Sequence, residues 1–199
     1  GGMSARVYLD YNATSVVRPE AEAAAVAALR LGGNASSVHA VGRAARAMLE
    51  DAREAVAALA GARPQDVVFT SGGSEANTLA LTSAVQGGSR RLILGATEHA
   101  SVLDTAAASG ASVELWPVDS RGVADLDWLA DRLKTWAPQD GPPFVALMAA
   151  NNETGGIQPV ALAAQLVHDA GGWLHVDAVQ ATGKIQIDAL PRIDRGLPV

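Results

Sequence analysis

Short, uninterrupted apolar runs alternate along this chain with longer stretches in which apolar residues recur every three or four positions. The first rhythm predicts buried strands and the second amphipathic helices. Glu20 to Leu31 is alanine-rich with Val26, Leu29 and Arg30, and Pro19 stands where a first helical turn accepts proline. Gly32-Gly33-Asn34-Ala35-Ser36-Ser37 ends that helix. From about His39 to Ala60, Met48, Leu49, Ala52, Val56 and Leu59 keep helical spacing, and Gly61 suits a helix stop.

Beyond this point strands and helices take turns. Val67-Val68-Phe69-Thr70 predicts a short strand closed by Ser71-Gly72-Gly73, followed by a helix from about Ser74 to Val85. Strands are expected at Leu92-Ile93-Leu94, Val113-Glu114-Leu115-Trp116, Phe144 to Ala149 and Trp173-Leu174-His175-Val176. Helices are expected after His99, from Leu126 to Trp136 and from Val160 to Ala170. This alternation predicts an α/β fold, a mostly parallel sheet flanked by helices. No internal repeat interrupts it. Pro138 to Pro143 suits a surface connection better than a linker, so residues 3–199 are expected to form one domain. Gly1-Gly2 ahead of Met3 resembles a remnant outside the fold.

Composition narrows the function classes. The 199 residues are 49% hydrophobic and 18% charged, with a net charge of −6, which is ordinary for a soluble globular chain. A basic field for nucleic-acid phosphates is lacking, and no apolar run approaches the roughly 20 residues that span a bilayer. A cytoplasmic protein is therefore expected. Cysteine is absent, which excludes a disulfide, a thiolate metal site or a thiol nucleophile within these residues. No two histidines have metal-ligand spacing, so no metal is expected.

In parallel α/β sheets ligands gather at the carboxyl ends of the strands. Here those positions are polar: Thr70-Ser71-Gly72-Gly73-Ser74, Thr97-Glu98-His99, Asn151-Asn152-Glu153, and Asp177 with Gln180. Gly72-Gly73-Ser74 is either an anion site at a helix N-terminus or a flexible turn in which Ser74 is an N-cap. Glu75 suits an anion there only if its charge points away. Asp177 is either a helix cap or a carboxylate able to meet a protonated pyridine nitrogen. His99 could stack on a flat ring or carry a proton, or serve structure alone. His175, on a strand, and His168, on a helix, are weaker candidates. Asn151 to Gly156, and Asn34 to Ser37 with His39 and Arg43, are either turn formers or ligand contacts.

Six ordered motifs together resemble the cysteine desulfurases, within the class V aminotransferase branch of pyridoxal-phosphate (PLP) enzymes of fold type I. They are Tyr8-Leu9-Asp10-Tyr11-Asn12-Ala13-Thr14; Gly33-Asn34-Ala35-Ser36-Ser37-Val38-His39 with Gly42-Arg43; Phe69-Thr70-Ser71-Gly72-Gly73-Ser74-Glu75-Ala76-Asn77; Thr97-Glu98-His99; Asn151-Asn152-Glu153-Thr154-Gly155; and His175-Val176-Asp177-Ala178-Val179-Gln180. The resemblance implies the N-terminal portion of the PLP-binding large domain. It implies that Gly73 and Ser74 bind the cofactor phosphate, that His99 stacks on the pyridine ring and that Asp177 pairs with its nitrogen. Gln180 would bond the ring hydroxyl, and Asn152 would lie near that oxygen and the substrate carboxylate. The implied reaction moves sulfur from L-cysteine to an acceptor protein in iron–sulfur or thiolation pathways, leaving alanine, in a homodimer.

The resemblance also implies a Schiff-base lysine in a Ser-x-His-Lys segment and a sulfur-accepting cysteine, both beyond Val199. The two lysines present suit neither role: Lys134 falls in a predicted helix away from the rim, and Lys184 takes the Gly-Lys position after Gln180. Selenocysteine lyase, or another class V aminotransferase, shares the same cradle. A non-catalytic fragment with an unpaired sheet edge, prone to associate, is the reading from a different class.

Overall fold

The computed structural model describes residues 10–185. Their contacts divide the chain into two compact units with the boundary after Val68.

The first unit is helical. Helix α1 runs Pro19–Leu31 and α2 runs Ala40–Ala60. Pro19 occupies the first turn of α1, as its preset φ allows, and Gly32 follows its last residue. Gly61 closes α2 in the left-handed conformation (φ 65°), its N–H reaching back to the carbonyls of Ala57 and Ala58. The N-terminus of α2 is capped by the His39 ring, whose Nδ1 accepts from Gly42 N at 3.2 Å.

Val67 to Thr70 does not form the expected strand. Its β-branched and aromatic residues give extended backbone, but a strand exists only where a neighbour pairs with it. None of the four described strands does so, and the Val67 carbonyl instead accepts from the Arg53 guanidinium. Val68 is correspondingly exposed.

The second unit is a three-layer α/β/α arrangement. Its strands β1 (Arg91–Gly95), β2 (Ser112–Trp116), β3 (Phe144–Ala146) and β4 (Trp173–His175) lie in the order β2-β1-β3-β4, all parallel. In the central pair, Leu92 to Leu94 of β1 and all of β3 are apolar and buried because helices cover both faces. Ile93 and Val145 point to one face, with Trp116, Leu129, Leu133, Ala163 and Val167, under α5 (Leu126–Lys134) and α6 (Val160–Asp169). Leu92, Leu94, Phe144 and Ala146 point to the other, with Leu81, Val102 and Ala106, under α3 (Gly73–Gln86) and α4 (Ala100–Ala108). The strand alternation of two residues per repeat therefore divides one sheet between two cores.

Strand β3 is shorter than the apolar run that predicts it, since its ladder with β1 ends at Ala146. Leu147 and Ala149 nevertheless keep donating to the carbonyls of His175 and Asp177, at 2.9 and 2.8 Å. The sheet thus carries its backbone pairing on one side into the rim where the polar motifs gather. Among the described residues no helix is long and apolar enough to cross a membrane, and no acidic or histidine cluster could hold a metal.

Candidate active site

Three polar segments meet at the carboxyl end of the sheet, and one buried amide joins them. Asn77 lies one turn into α3 and is only 4% exposed. Its Nδ2 donates to Asp177 Oδ2 and to Ser101 Oγ, each at 3.0 Å, and its Oδ1 lies 2.8 Å from His175 Nε2. A buried polar group must find partners, and each polar atom of this side chain has one. The start of α3, the start of α4 and the segment after β4 are thereby fixed to one another.

Asp177 is buried, and its hydrogen bonds come from neutral donors: the Asn77 amide and the Val179 N–H, at 3.1 Å to Oδ1. The Val179 bond closes a local turn, and no helix follows Asp177 among the described residues, so Asp177 is not the helix cap of the capping alternative. The Asn77 bond, across 100 residues, is tertiary. Gly73 approaches the same turn closely, since a Cβ placed on it would lie 3.2 Å from Val179 Cγ2.

The N-terminus of α3 is open. Gly72 has extended backbone and no side chain caps the helix, so Ser74 is not the N-cap. Glu75 stands in the first turn, where its charge would oppose an anion. Its carboxylate is instead folded back onto Ser71, accepting the backbone N–H at 2.7 Å and the hydroxyl as well. The Ser71 hydroxyl, and then its N–H, hold the Glu75 carboxyl below the usual range. Its charge is engaged away from the free N–H groups, as an anion at that terminus requires.

His99 is the N-cap of α4: Nδ1 accepts from Ser101 N at 3.1 Å and lies 2.7 Å from Ser101 Oγ. The ring itself is exposed. Its neighbour Glu98 is buried, with one oxygen on the Met148 N–H and the other without a hydrogen-bond partner. Burial pushes the Glu98 carboxyl up to about 7; the Met148 N–H opposes that rise and the Asp177 charge adds to it. Burial pushes the His175 ring in the other direction, below the usual histidine range, with the Asp177 charge opposing.

The Asn151 loop joins the rim through Asn151 Nδ2, which donates to the Thr97 carbonyl at 3.3 Å. Asn151 Oδ1 accepts from the N–H groups of Glu153 and Thr154, both at 2.9 Å, so this residue builds the turn that displays exposed Asn152. Gln180 is half-buried in the turn after Asp177, and Lys184 Nζ donates to its Oε1 at 2.6 Å. Lys134 ends α5 and pairs with Asp131. His168 is exposed on α6. The lysine and cysteine that the resemblance implies lie outside the described residues.

Of the expected residues, Gly73, His99 and Asp177 are brought onto one rim by explicit contacts, with Ser74 adjacent in the first turn of α3. Asn77, Ser101 and Glu98 carry no expected role, and His175, a weaker candidate, enters as a partner of Asn77. The signal for Asn77 is only its place at the end of the Phe69-to-Asn77 motif, since the same helix also carries Thr78, Thr82, Ser83 and Gln86.

The sequence model for the family described as Aminotransferase class-V matches residues 7–191. The chain is 44% identical to a cysteine desulfurase of Cereibacter sphaeroides over 190 residues, covering 92% of this chain and 48% of that protein. Its fold is similar to that of a NifS-like protein from Rickettsia africae, with a TM-score of 0.83 at 28% identity, covering 91% of this chain and 50% of the other. SspA, solved in complex with cysteine, gives a TM-score of 0.79 at 28% identity, covering 91% of this chain and 53% of the other. The chain spans about half the length of the curated relatives it matches.

Proposed function

Because the chain belongs to the aminotransferase class-V family, we propose that it forms the cofactor-cradling N-terminal part of a PLP-dependent cysteine desulfurase. The observation that carries this reading is the pairing of an open helix N-terminus with a buried carboxylate on one rim. Gly73 and Ser74 offer N–H groups and a hydroxyl, and Asp177 offers a charge that the described residues meet only with neutral donors. A ligand with a phosphate at one end and a cationic ring nitrogen at the other matches both.

On this reading residues 3–199 constitute one incomplete cofactor-binding domain, consistent with a family match that runs across the boundary between the two units. The first turn of α3 holds the phosphate through Gly73 and Ser74, with Glu75 kept aside by Ser71. Asp177 holds the ring nitrogen in its protonated form, and the Asn77 amide keeps that carboxylate in place. His99 lies against the ring face, Gln180 bonds the ring hydroxyl, and Asn152 contributes near that oxygen and the substrate carboxylate. When bound, the protonated pyridine supplies an electron sink for bonds broken at the amino-acid α-carbon.

The substrate proposed is L-cysteine, since the relatives are cysteine desulfurases and one structural neighbour was solved with cysteine. The sulfur passes to an acceptor protein of iron–sulfur assembly, alanine is released, and the working unit is a cytoplasmic homodimer. The test is an absorbance and fluorescence titration of the purified protein with PLP. Saturable binding is expected, weakened at least about tenfold in Asp177→Ala and in Ser74→Ala. Unquenched protein fluorescence, with a cofactor spectrum identical to that of free PLP, overturns the reading for this chain.

A further inference from the structure

The bonds around Asn77 have a direction that can be worked out atom by atom. Asp177 Oδ2 is a carboxylate oxygen and can only accept, so the Asn77 atom 3.0 Å from it is the amide nitrogen. That choice turns Oδ1 toward His175, and the nitrogen 2.8 Å away, Nε2, must carry a hydrogen. The second hydrogen of the Asn77 amide goes to Ser101 Oγ at 3.0 Å. Ser101 Oγ therefore already receives a proton, and its own hydrogen is left to donate to the next neighbour, His99 Nδ1, at 2.7 Å.

The backbone of Ser101 reaches the same atom, with N–H to Nδ1 at 3.1 Å. A proton on Nδ1 would face that N–H head-on and would leave the Ser101 hydroxyl hydrogen without a partner.

The geometry points to Asn77 and Ser101 as positioning residues that transmit the orientation set by Asp177 to His99, so that the neutral His99 ring keeps Nδ1 as an acceptor and carries its proton on Nε2. This rests on the proposed function for its purpose but not for its geometry. If Asp177 meets a ring nitrogen and His99 meets the ring face, the two groups are not independent. The carboxylate that holds one part of the ligand also decides which edge of the histidine presents an N–H to it. His175 closes the other side of the network by donating from Nε2 to Asn77 Oδ1, which its ring can do whether neutral or protonated. Glu98 feels the Asp177 charge but bonds Met148 and not the relay.

The readout is nitrogen-15 NMR of histidine-labelled protein, without cofactor, in which long-range ring correlations distinguish the two tautomers. His99→Gln assigns the signal. The wild-type ring is expected as the Nε2–H form. In Asn77→Leu and Asp177→Asn the share of the Nδ1–H form is expected to rise at least about threefold, and in Ser101→Ala by less, because the backbone N–H remains. Ser101→Thr, which restores a hydroxyl, should return the wild-type signal. A wild-type ring in the Nδ1–H form overturns the inference. So does an unchanged tautomer in every variant that folds, which would mean the α4 cap alone sets it. If Asn77→Leu fails to fold, Asp177→Asn and Ser101→Ala still decide. A PLP titration of the same samples separates the two claims. The expected tautomer without PLP binding leaves the relay standing and removes the cofactor reading, and PLP binding with the wrong tautomer does the reverse.

Discussion

The backbone N–H of Met148 donates to Glu98 Oε1, and that bond takes the place of a missing rung of the sheet. The β1–β3 ladder ends at Leu94 and Ala146, because the chain turns away after Gly95 and Glu98 N bonds the Gly95 carbonyl instead. A carboxylate returns from that turn to receive the donor left behind. One oxygen is satisfied and the other is buried without a partner, which is a costly state for an anion and a tolerable one for an acid.

The consequence is a pH dependence with a definite sign. The Glu98 carboxyl, near 4.5 when unperturbed, is pushed up to about 7 in the folded protein, mainly by burial. The folded state therefore binds the proton more tightly than the unfolded chain. Its contribution is complete below the unfolded value and is lost as pH rises through the folded one. The loss between about pH 5 and about pH 8 is expected to be on the order of 3 kcal/mol. His175 acts oppositely: with its proton affinity lowered by burial, it favours folding above the usual histidine range and costs stability as pH falls. Glu98→Gln separates the two. Denaturant unfolding should show the variant level with wild type near pH 5 and more stable near pH 8. Parallel profiles would reject the assignment.

Gly95 gives an independent handle on the same carboxylate. A Cβ on this buried residue would lie 2.9 Å from Glu98 Oε1 and 3.5 Å from Leu147 Cδ1. The carboxylate cannot simply swing aside, since it would release the Met148 N–H. Gly95→Ala is expected to cost about 1–3 kcal/mol by chemical denaturation. In a Glu98→Ala background the collision partner is gone, so the added cost should fall by at least about half. Equal costs in both backgrounds would place the strain elsewhere.

The sheet was legible because its signals are local and redundant. Leu92-Ile93-Leu94 and the apolar core of Phe144 to Ala149 are buried on both faces, and no other arrangement suits such runs between helices. Val67 to Thr70 carries an equally good local signal and is not a strand, because pairing depends on a neighbour that side-chain pattern does not specify. The rim follows the same division. Gly73, Ser74, His99 and Asp177 could be nominated from their place after predicted strands or turns and from the family resemblance. Asn77 and Ser101 tie His99 and Asp177 together through bonds across 24 and 100 residues, Glu98 receives Met148 across 50, and separations of that kind leave no periodic trace. Asn151 had the opposite fate: a turn former by composition, it is a turn former in the structure, and its neighbour Asn152 is the one displayed.

Gly42 shows why a glycine stands inside the Gly33-to-Arg43 motif. It lies in the first turn of α2, where a Cβ would meet the Ser37 carbonyl oxygen at 2.3 Å and the Asn34 carbonyl oxygen at 2.8 Å. Both obstacles are backbone, held by the Ser37 N–H to Asn34 O bond and by Ser36 N–H to Asn34 Oδ1, each 2.9 Å. Gly42→Ala is therefore expected to cost about 2–4 kcal/mol and to open the start of α2 first. Amide hydrogen exchange should lose protection from Gly42 through the next turn while β1 and β3 stay protected. Uniform loss across the chain would mean that α2 and the sheet unfold as one.

Glu75 allows a test in which electrostatics and geometry predict opposite signs. It stands in the first turn of α3, so removing its charge should by Coulomb's law alone tighten an anion at Gly73 and Ser74. Yet its carboxylate is the acceptor that fixes Ser71, through both the N–H and the hydroxyl, and so shapes the loop leading into the helix. A charge already shared with two donors and open to solvent exerts little field, whereas a loosened loop must be ordered again each time an anion binds. Glu75→Ala is expected to weaken binding of PLP, and of inorganic phosphate used as a competitor, by about threefold to tenfold. Glu75→Gln, which keeps one acceptor oxygen, should recover part of that loss despite lacking the charge. Tighter binding in both variants would show that the charge, and not the loop it ties down, governs this end of the site.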